Sequence, residues 1–410
     1  MWYTGIKTIS NYKQIPFDRI MLYRPNSSQP QAYRAKTILP MMPENHYIED
    51  GLLIIQDDII KETGYYKQLR KSFQGDIHDL GPYVVVPGLI NAHTHLELSH
   101  LQGQTVLQKG FESWVKSLLQ LPMQDIDPTT LQNVFKNLEQ NGIAGIGDIS
   151  GHNPKTLLQN LRESGSLYRL FLEFLGFKPP KTDNIDWPAH VSPNKNPELS
   201  VAGHALYSTH PNTLQLLKNW TTQNHRPFSI HLAENPGEIE LFTTGRGEFA
   251  DFLKNSLLPE TFVPPYTTPV NYADQLGLLD HNTLAVHCVH ANSSDIQVLA
   301  ETRTSVCLCP RSNYNINLES PPWEEMLESG VSLCLGTDSL CSNSDLNLWN
   351  EAEQLLQTGS KEVPLKEIMK LLTINPSRAL GLDNDLGSLE PGKRGCFTLV
   401  PERFTENIPI

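Results

Sequence analysis

The chain has 410 residues, of which 39% are hydrophobic and 19% charged, and its formal net charge is −13. This composition is that of a globular chain and excludes an intrinsically disordered one. Because 45 acidic residues outnumber 32 basic ones, the chain lacks the surplus of positive charge that binds nucleic acid or an anionic membrane surface. We expect neither as a partner.

The N-terminal part predicts an extension followed by a small β domain. Residues 1–33 are polar, contain several prolines and follow no period, which indicates an extension. From 34 to 86, short apolar runs alternate with turn residues, the pattern of an accessory β domain. No segment has the apolar length of a membrane span or signal peptide, and the six cysteines show no disulfide spacing. We expect a cytoplasmic protein.

Residues 87–384 alternate short apolar runs with longer amphipathic segments, which is typical of β/α units on a parallel sheet. Predicted helices include 130–140, 212–223 and 347–357. We predict an α/β fold, a (β/α)8 barrel of the TIM type, with a small accessory β-sandwich completed by residues 385–410. The eight predicted strands are 84–91, 142–148, 168–174, 199–203, 228–231, 284–287, 305–309 and 332–336.

Several ligand-capable side chains stand at the ends of these predicted strands. His93 and His95 follow the first strand two positions apart, so both rings can point to one side of an extended chain. His231, His287 and Asp338 each end or follow a later strand. Barrel active sites are built from the C-terminal ends of several strands. Imidazoles and a carboxylate together suit Zn²⁺ or Fe²⁺, with a position left for water.

Glu234 lies three residues beyond His231. A carboxylate at this offset can stand beside the ion without binding it, and can carry a proton from water to a substrate. The structural alternative is a charge at the start of the next helix.

Four stretches that contain these residues resemble the amidohydrolase superfamily, in its branch of cytosine deaminases, guanine deaminases and chlorohydrolases. They occur in the family's order, at 87–95, 231–234, 287–290 and 336–339. The resemblance implies one divalent ion, with zinc expected and iron or manganese as alternatives, and with His93, His95, His231 and Asp338 as its ligands. It also implies catalytic roles for Glu234 as the proton shuttle, for His287 and for Asp338.

The sequence is most similar to the S-adenosylhomocysteine, methylthioadenosine and aminodeoxyfutalosine deaminases of this branch. The resemblance implies that His204, after the fourth strand, contacts the purine. It also implies that Trp114 walls the pocket by stacking, with helix packing as the alternative reading. Arg311 is a further candidate for binding the substrate, as is Glu234.

The sequence differs from these deaminases in two features, a missing acidic residue and a long insertion. The acid that holds ribose hydroxyls in these relatives is missing, since Met123 stands near its place and Asp125 is only a neighbour. Residues 235–280 form a long, proline-rich insertion, which we expect to act as a lid and to influence substrate choice.

We therefore expect metal-dependent hydrolytic deamination of a small aminopurine nucleoside-like molecule, of the aminodeoxyfutalosine, S-adenosylhomocysteine or methylthioadenosine type. Metal-activated water would attack the ring carbon that bears the amino group, and ammonia would leave. The alternatives are a guanine- or cytosine-type base deaminase, a triazine-type chlorohydrolase, and a metal-stabilised binding barrel without turnover. The resemblance is compatible with a homodimer.

Overall fold

The computed structural model describes residues 12–13, 20–42, 47–124, 126–182, 184–188, 191, 193 and 196–405, with the backbone alone for 12–13. Much of the predicted extension 1–33, and Asp125, lie outside the described residues.

The described strands belong to two sheets, one in the barrel and one beside it. In chain order they are β1 (Tyr12–Lys13), β2 (Gln31–Ile38), β3 (Ile48–Gln56), β4 (Ile59–Tyr65), β5 (Ile77–Asp79), β6 (Val84–Pro87), β7 (Leu89–Thr94), β8 (Ile143–Ser150), β9 (Leu167–Phe174), β10 (Leu199–Ala205), β11 (Phe228–Leu232), β12 (Thr283–His287), β13 (Ser305–Leu308), β14 (Leu333–Leu335) and β15 (Phe397–Leu399).

Strands β7 to β14 form an eight-stranded sheet in which each strand pairs in parallel with the next along the chain. A parallel bridge between Thr94 and Asp338 joins the first strand to the last. Most residues of these strands are buried, as expected where helices cover one face of a parallel sheet and side chains fill the other. The predicted barrel is confirmed.

The predicted strand 84–91 was wrong as a single element. It divides at Gly88, where the chain leaves the accessory sheet and enters the barrel: Gly88 donates its N–H to Cys396 and Leu89 donates to Gly142. A Cβ at Gly88 would lie 2.6 Å from the Cβ of Ala144. Only glycine therefore lets the two sheets approach closely enough for the strand to change partners.

The accessory sheet is mixed and uses both ends of the described chain. Strands β2, β3 and β4 are antiparallel neighbours, and β2 also pairs in parallel with β5 and β6. Strand β15 returns from the C-terminal end and pairs antiparallel with β6. The prediction that both segments build one accessory unit is confirmed, while the domain limits 33/34, 86/87 and 384/385 stay predictions.

Helices connect the barrel strands, and many begin with proline at the first helical position, where its missing N–H costs nothing. Asp127, for example, precedes Pro128 and accepts the N–H groups of Thr129 and Thr130. The helices are α1 (Tyr66–Leu69), α2 (Phe111–Leu118), α3 (Pro128–Gln140), α4 (Pro154–Ser164), α5 (Pro211–Gln223), α6 (Pro236–Thr244), α7 (Glu248–Ser256), α8 (Pro269–Gln275), α9 (Ser293–Glu301), α10 (Pro310–Asn315), α11 (Trp323–Glu328), α12 (Leu348–Thr358), α13 (Leu365–Leu372), α14 (Ile374–Ala379) and α15 (Glu402–Thr405), with a 3-10 helix at Leu96–Leu101.

The predicted helices correspond to α3, α5 and α12, with small shifts at their ends. The insertion 235–280 is largely helical and contains α6, α7 and α8. No helix in the described part of the chain is long and apolar enough to cross a membrane.

Candidate active site

The four predicted metal ligands meet at the C-terminal mouth of the barrel. Ring nitrogens of His93, His95 and His231 lie within 4.8 Å of one another. The two Nε2 atoms of His93 and His231 are 3.3 Å apart. Oδ1 of Asp338 lies 3.7 Å from Nε2 of His93 and 3.6 Å from Nε2 of His95.

These distances fit a small divalent cation. Donor atoms about 2.0–2.1 Å from such an ion stand roughly 3–4 Å from one another. Burial lowers the pKa of His95 to about 3 and holds the pKa of His231 well below its ordinary value, so both rings are neutral and keep a lone pair. Three imidazoles and one carboxylate form a donor set that suits zinc and other first-row divalent ions.

Hydrogen bonds behind the site fix the orientation of these donors. Nδ1 of His231 donates to the carbonyl of His204 at 2.9 Å, which leaves Nε2 as the free lone pair. Oδ2 of Asp338 accepts from Ser312 and Ser342, at 2.7 and 2.8 Å, so that Oδ1 is the oxygen turned toward the histidines. Although burial acts to raise the pKa of Asp338, contacts with His93 and His95 hold it well below its ordinary value.

Glu234 and His287 stand together beside this cluster. Oε1 of Glu234 lies 3.4 Å from Nε2 of His287, whose Nδ1 donates to Oδ1 of Asn313 at 3.0 Å. Burial raises the pKa of Glu234 well above its ordinary value, and the charge of Asp338 acts in the same direction. Burial also lowers the pKa of His287 to about 4. A carboxyl group with a raised pKa beside an imidazole with a lowered pKa is arranged for proton transfer.

The backbone at the site is strained. Ala233, His287 and Asp338 have φ of 50°, 74° and 57°, in the left-handed region that side chains with a Cβ rarely adopt. Such conformations persist where surrounding contacts impose them, and they concentrate at functional sites. Here they re-aim each side chain at the point where its strand ends.

A cavity of about 550 Å³ opens onto the cluster. His95, His231, Glu234, His287 and Asp338 line its floor. Its volume is in the range of pockets that enclose a small organic ligand.

One wall of the cavity is apolar and comes from two helices. Helix α2 contributes Phe111, Trp114 and Leu118, and α7 contributes Phe249 and Phe252. The indole N–H of Trp114 donates to the carbonyl of Cys341 at 3.1 Å, so the ring is held in place. Because α7 belongs to the insertion 235–280, the insertion supplies part of the wall. Stacking of Trp114 on a substrate ring stays a prediction.

His204 also lines the cavity, with Nδ1 held 2.6 Å from the hydroxyl of Ser208. Burial lowers the pKa of His204 to about 4, so the ring is neutral. It is therefore placed to accept or donate a neutral hydrogen bond, as its predicted role requires.

Arg311 is not brought to the cavity. Its guanidinium lies 2.6 Å from Oδ1 of Asp345 and also bonds the hydroxyl of Ser344, and the residue does not line the cavity. Asp345 is 34 positions away along the chain, so the sequence motif alone does not show this pairing. The substrate-binding role expected for Arg311 has no support in this geometry.

Three acidic residues of the site were missed by the sequence analysis. Glu97 and Glu173 line the cavity, and Glu238 lies directly behind Glu234. Glu173 stands at the end of a predicted strand, so the criterion that selected His231 would have found it. Glu97 lies in the 3-10 helix and Glu238 in α6, each after the end of a strand, and only their tertiary contacts mark them.

Glu238 holds the turn that carries Glu234. Its two oxygens accept the backbone N–H groups of Ala233, at 3.2 Å, and of Glu234, at 2.9 Å. We expect Glu238→Gln to lower kcat about 10- to 100-fold at unchanged metal content. The NH2 group of the glutamine would face a backbone N–H, two donors would repel each other, and Glu234 would move from its position beside the reaction centre. Steady-state kinetics with metal analysis test this, and Glu240→Gln, exposed on the same helix, is the matched control. An unchanged kcat in Glu238→Gln would contradict the positioning role.

Residues 84–408 match the sequence profile of the Amidohydrolase family. The chain belongs to the amidohydrolase family. The match includes the whole barrel and confirms the predicted superfamily and hydrolase class.

Curated relatives of this amidohydrolase are deaminases. The aminodeoxyfutalosine deaminase of Deinococcus radiodurans is 28% identical over 317 residues, which are 73% of this chain and 74% of the relative. The 5-methylthioadenosine/S-adenosylhomocysteine deaminase of Moorella thermoacetica is 27% identical over 393 residues, 91% of this chain and 86% of the relative.

Among solved structures, the amidohydrolase is similar to the Helicobacter pylori aminofutalosine deaminase in complex with methylthio-coformycin. The TM-score is 0.75 at 23% sequence identity, and the alignment covers 90% of this chain and 91% of the other. This likeness supports the fold.

Proposed function

We propose that this amidohydrolase catalyses the hydrolytic deamination of an aminopurine nucleoside-like substrate, with one divalent ion, zinc, held by His93, His95, His231 and Asp338. The observation that carries the proposal is the pairing of Glu234 with His287 directly beside that donor set, with Oε1 of Glu234 3.4 Å from Nε2 of His287 and the pKa of Glu234 raised by burial. A metal scaffold without chemistry has no use for such a pair. The deaminase names of the two curated relatives support the same reaction.

When bound, a divalent cation at these donors lowers the pKa of a coordinated water to about 7 and so supplies a nucleophile near neutral pH. Asp338 is ionised and can accept a proton from that water, while His287 orients it through Nε2. Glu234 gives a proton to the ring nitrogen next to the amino-bearing carbon. The nucleophile would add to this carbon, and Asp338 would pass the proton it accepted to the amino nitrogen. The carbon–nitrogen bond then breaks, ammonia leaves, and the hydroxyl proton returns to Glu234 as the carbonyl group forms.

The cavity favours a nucleoside over a bare base. A volume of about 550 Å³ exceeds what one nucleobase fills, and the wall of α2 and α7 offers aromatic faces beyond the reacting centre. Such faces suit stacking with a base or contact with a thioether or aryl substituent.

An ammonia-release screen tests the proposal. The panel holds adenine, guanine, cytosine, adenosine and thioether- or futalosine-type aminopurine nucleosides, with halogenated triazines assayed for chloride. We expect ammonia from at least one aminopurine nucleoside, with a kcat/KM of about 10⁴ M⁻¹s⁻¹ or more. Chloride from triazines with no ammonia from any purine would replace the proposal by chlorohydrolase activity, and tight binding with no turnover would replace it by a binding function.

A further inference from the structure

Glu173 is a second acidic group in the cavity that the proposed chemistry does not use. It lies on β9 just before the strand ends, and its carboxyl group lines the cavity. Its Oε1 is buried and has no hydrogen-bond partner among the described residues. A buried carboxyl oxygen without a partner is costly in free energy unless a ligand completes it.

Glu97 shows how a carboxylate in the same cavity looks when the protein itself satisfies it. Its oxygens accept from the hydroxyl of Ser150 at 2.6 Å and from the backbone N–H groups of Gly151, His152 and Asn153 at 2.8 to 3.1 Å. These bonds fix the segment before α4, so Glu97 has a structural task. Glu173 lacks such a set and is therefore available to a ligand.

The surroundings of Glu173 leave a ligand as its partner. None of the described residues that line the cavity is lysine or arginine. Gly151 faces the carboxyl group from the position directly after β8, and a Cβ there would approach Oε2 to 3.1 Å, so glycine keeps the space open. Ligand atoms of Glu173, His204 and His231 lie within 4.8 Å of one another, which places the carboxyl beside the reaction centre.

A second metal ion is a poor explanation of this group. Nδ1 of His231 already donates to the carbonyl of His204, and its Nε2 faces His93 in the first donor set. His231 has no further nitrogen to offer. Without it, Glu173 and His204 supply two donors, fewer than a stable site requires.

We propose that Glu173, next to His204, accepts a hydrogen bond from a sugar hydroxyl of the nucleoside and so selects ribonucleosides; this rests on the proposed function. An aminopurine ring offers acceptor nitrogens at its edges, and its amino group is consumed at the metal. The remaining donors of a nucleoside are its sugar hydroxyls, and the unpaired Oε1 of Glu173 can accept a hydrogen bond from one of them. Glu173 thereby supplies the acid that the sequence lacks at Met123, from β9 instead of the loop after Trp114.

A cycle that combines enzyme variants with substrate analogues tests the assignment. Glu173→Met removes the acceptor, Glu173→Gln keeps one acceptor oxygen, and each is assayed with a ribonucleoside and with its 2′-deoxy and 3′-deoxy analogues. We expect Glu173→Met to lower kcat/KM for the ribonucleoside about 10- to 100-fold, mainly through KM, and Glu173→Gln to lose less. For one deoxy analogue, kcat/KM of both variants should equal that of the wild type. Once the hydroxyl that Glu173 binds is absent, removing the carboxyl group has no further effect. Glu163→Gln, exposed on α4, is the control.

Three results would overturn the assignment. Equal losses on ribo- and deoxynucleosides would assign Glu173 to another part of the substrate. Two ions per chain in the wild type and one in Glu173→Met would make it a metal ligand. Turnover of free bases alone would overturn both this assignment and the nucleoside proposal. If nucleosides are turned over but the losses in kcat/KM from the Glu173 variant and from the missing hydroxyl add, only the assignment is overturned. If Glu173→Met does not fold, Glu173→Asp, which shortens the reach, takes its place in the cycle.

Discussion

Replacing Glu234 by glutamine should lower kcat by about 10²- to 10⁴-fold, the usual contribution of a general acid–base group. The amide keeps the size of the side chain but cannot pass a proton to the ring nitrogen. Since the carboxyl stands beside His287 and is not one of the four clustered donors, the metal content should remain at one ion per chain. Turnover and elemental analysis on the same preparation measure both quantities.

The matched control for this variant is Glu240→Gln, a substitution of the same kind on the exposed side of α6. It should leave kcat and metal content unchanged. A Glu234→Gln enzyme that retains wild-type turnover, or that loses its ion, would contradict the role of Glu234 as a proton shuttle.

Replacing His231 by alanine should remove the ion and with it all measurable turnover. His231 is the only member of the donor set that β11 supplies, and its ring is held by His204 at 2.9 Å. Because an ion that binds only the folded chain stabilises it, the melting temperature should also fall, and added zinc should no longer raise it. His225→Ala, at an exposed position before β11, is the control.

Metal analysis and thermal unfolding with and without a chelator check this expectation. Chelation should lower the melting temperature of the wild type and leave His231→Ala unchanged. Equal metal loss in His231→Ala and Glu234→Gln would mean that the two residues do not divide the tasks of ligand and proton carrier.

The barrel strands were predictable because burial on both faces makes each a short apolar run with a turn signal behind it. The residue that ends such a run must lie at the mouth of the barrel, which is why His231, His287 and Asp338 could be placed from the sequence. The strand 84–91 could not be divided, since the change of partners at Gly88 depends on Ala144, a residue far along the chain.

Site residues whose task depends on a tertiary partner were beyond the sequence analysis. Glu238 matters because it accepts two backbone N–H groups of the turn before it. Arg311 pairs with Asp345 and does not line the cavity, which its sequence motif does not show. In the insertion 235–280, Pro236 and Pro269 start α6 and α8, and α7 forms part of the cavity wall. Its role as a lid stays a prediction.

The seam between β7 and β14, where the barrel closes, connects metal binding with the stability of the barrel. Other neighbouring barrel strands share runs of paired residues, whereas β7 meets the segment after β14 through one bridge. Asn91 donates to the hydroxyl of Thr337 and accepts its backbone N–H, and Thr337 and Asp338 donate their backbone N–H groups to the carbonyl of His93. His93 belongs to one side of the seam and Asp338 to the other. An ion bound by both residues would link the first and last strands of the barrel. Part of its binding free energy would then stabilise the closed barrel against separation of these strands.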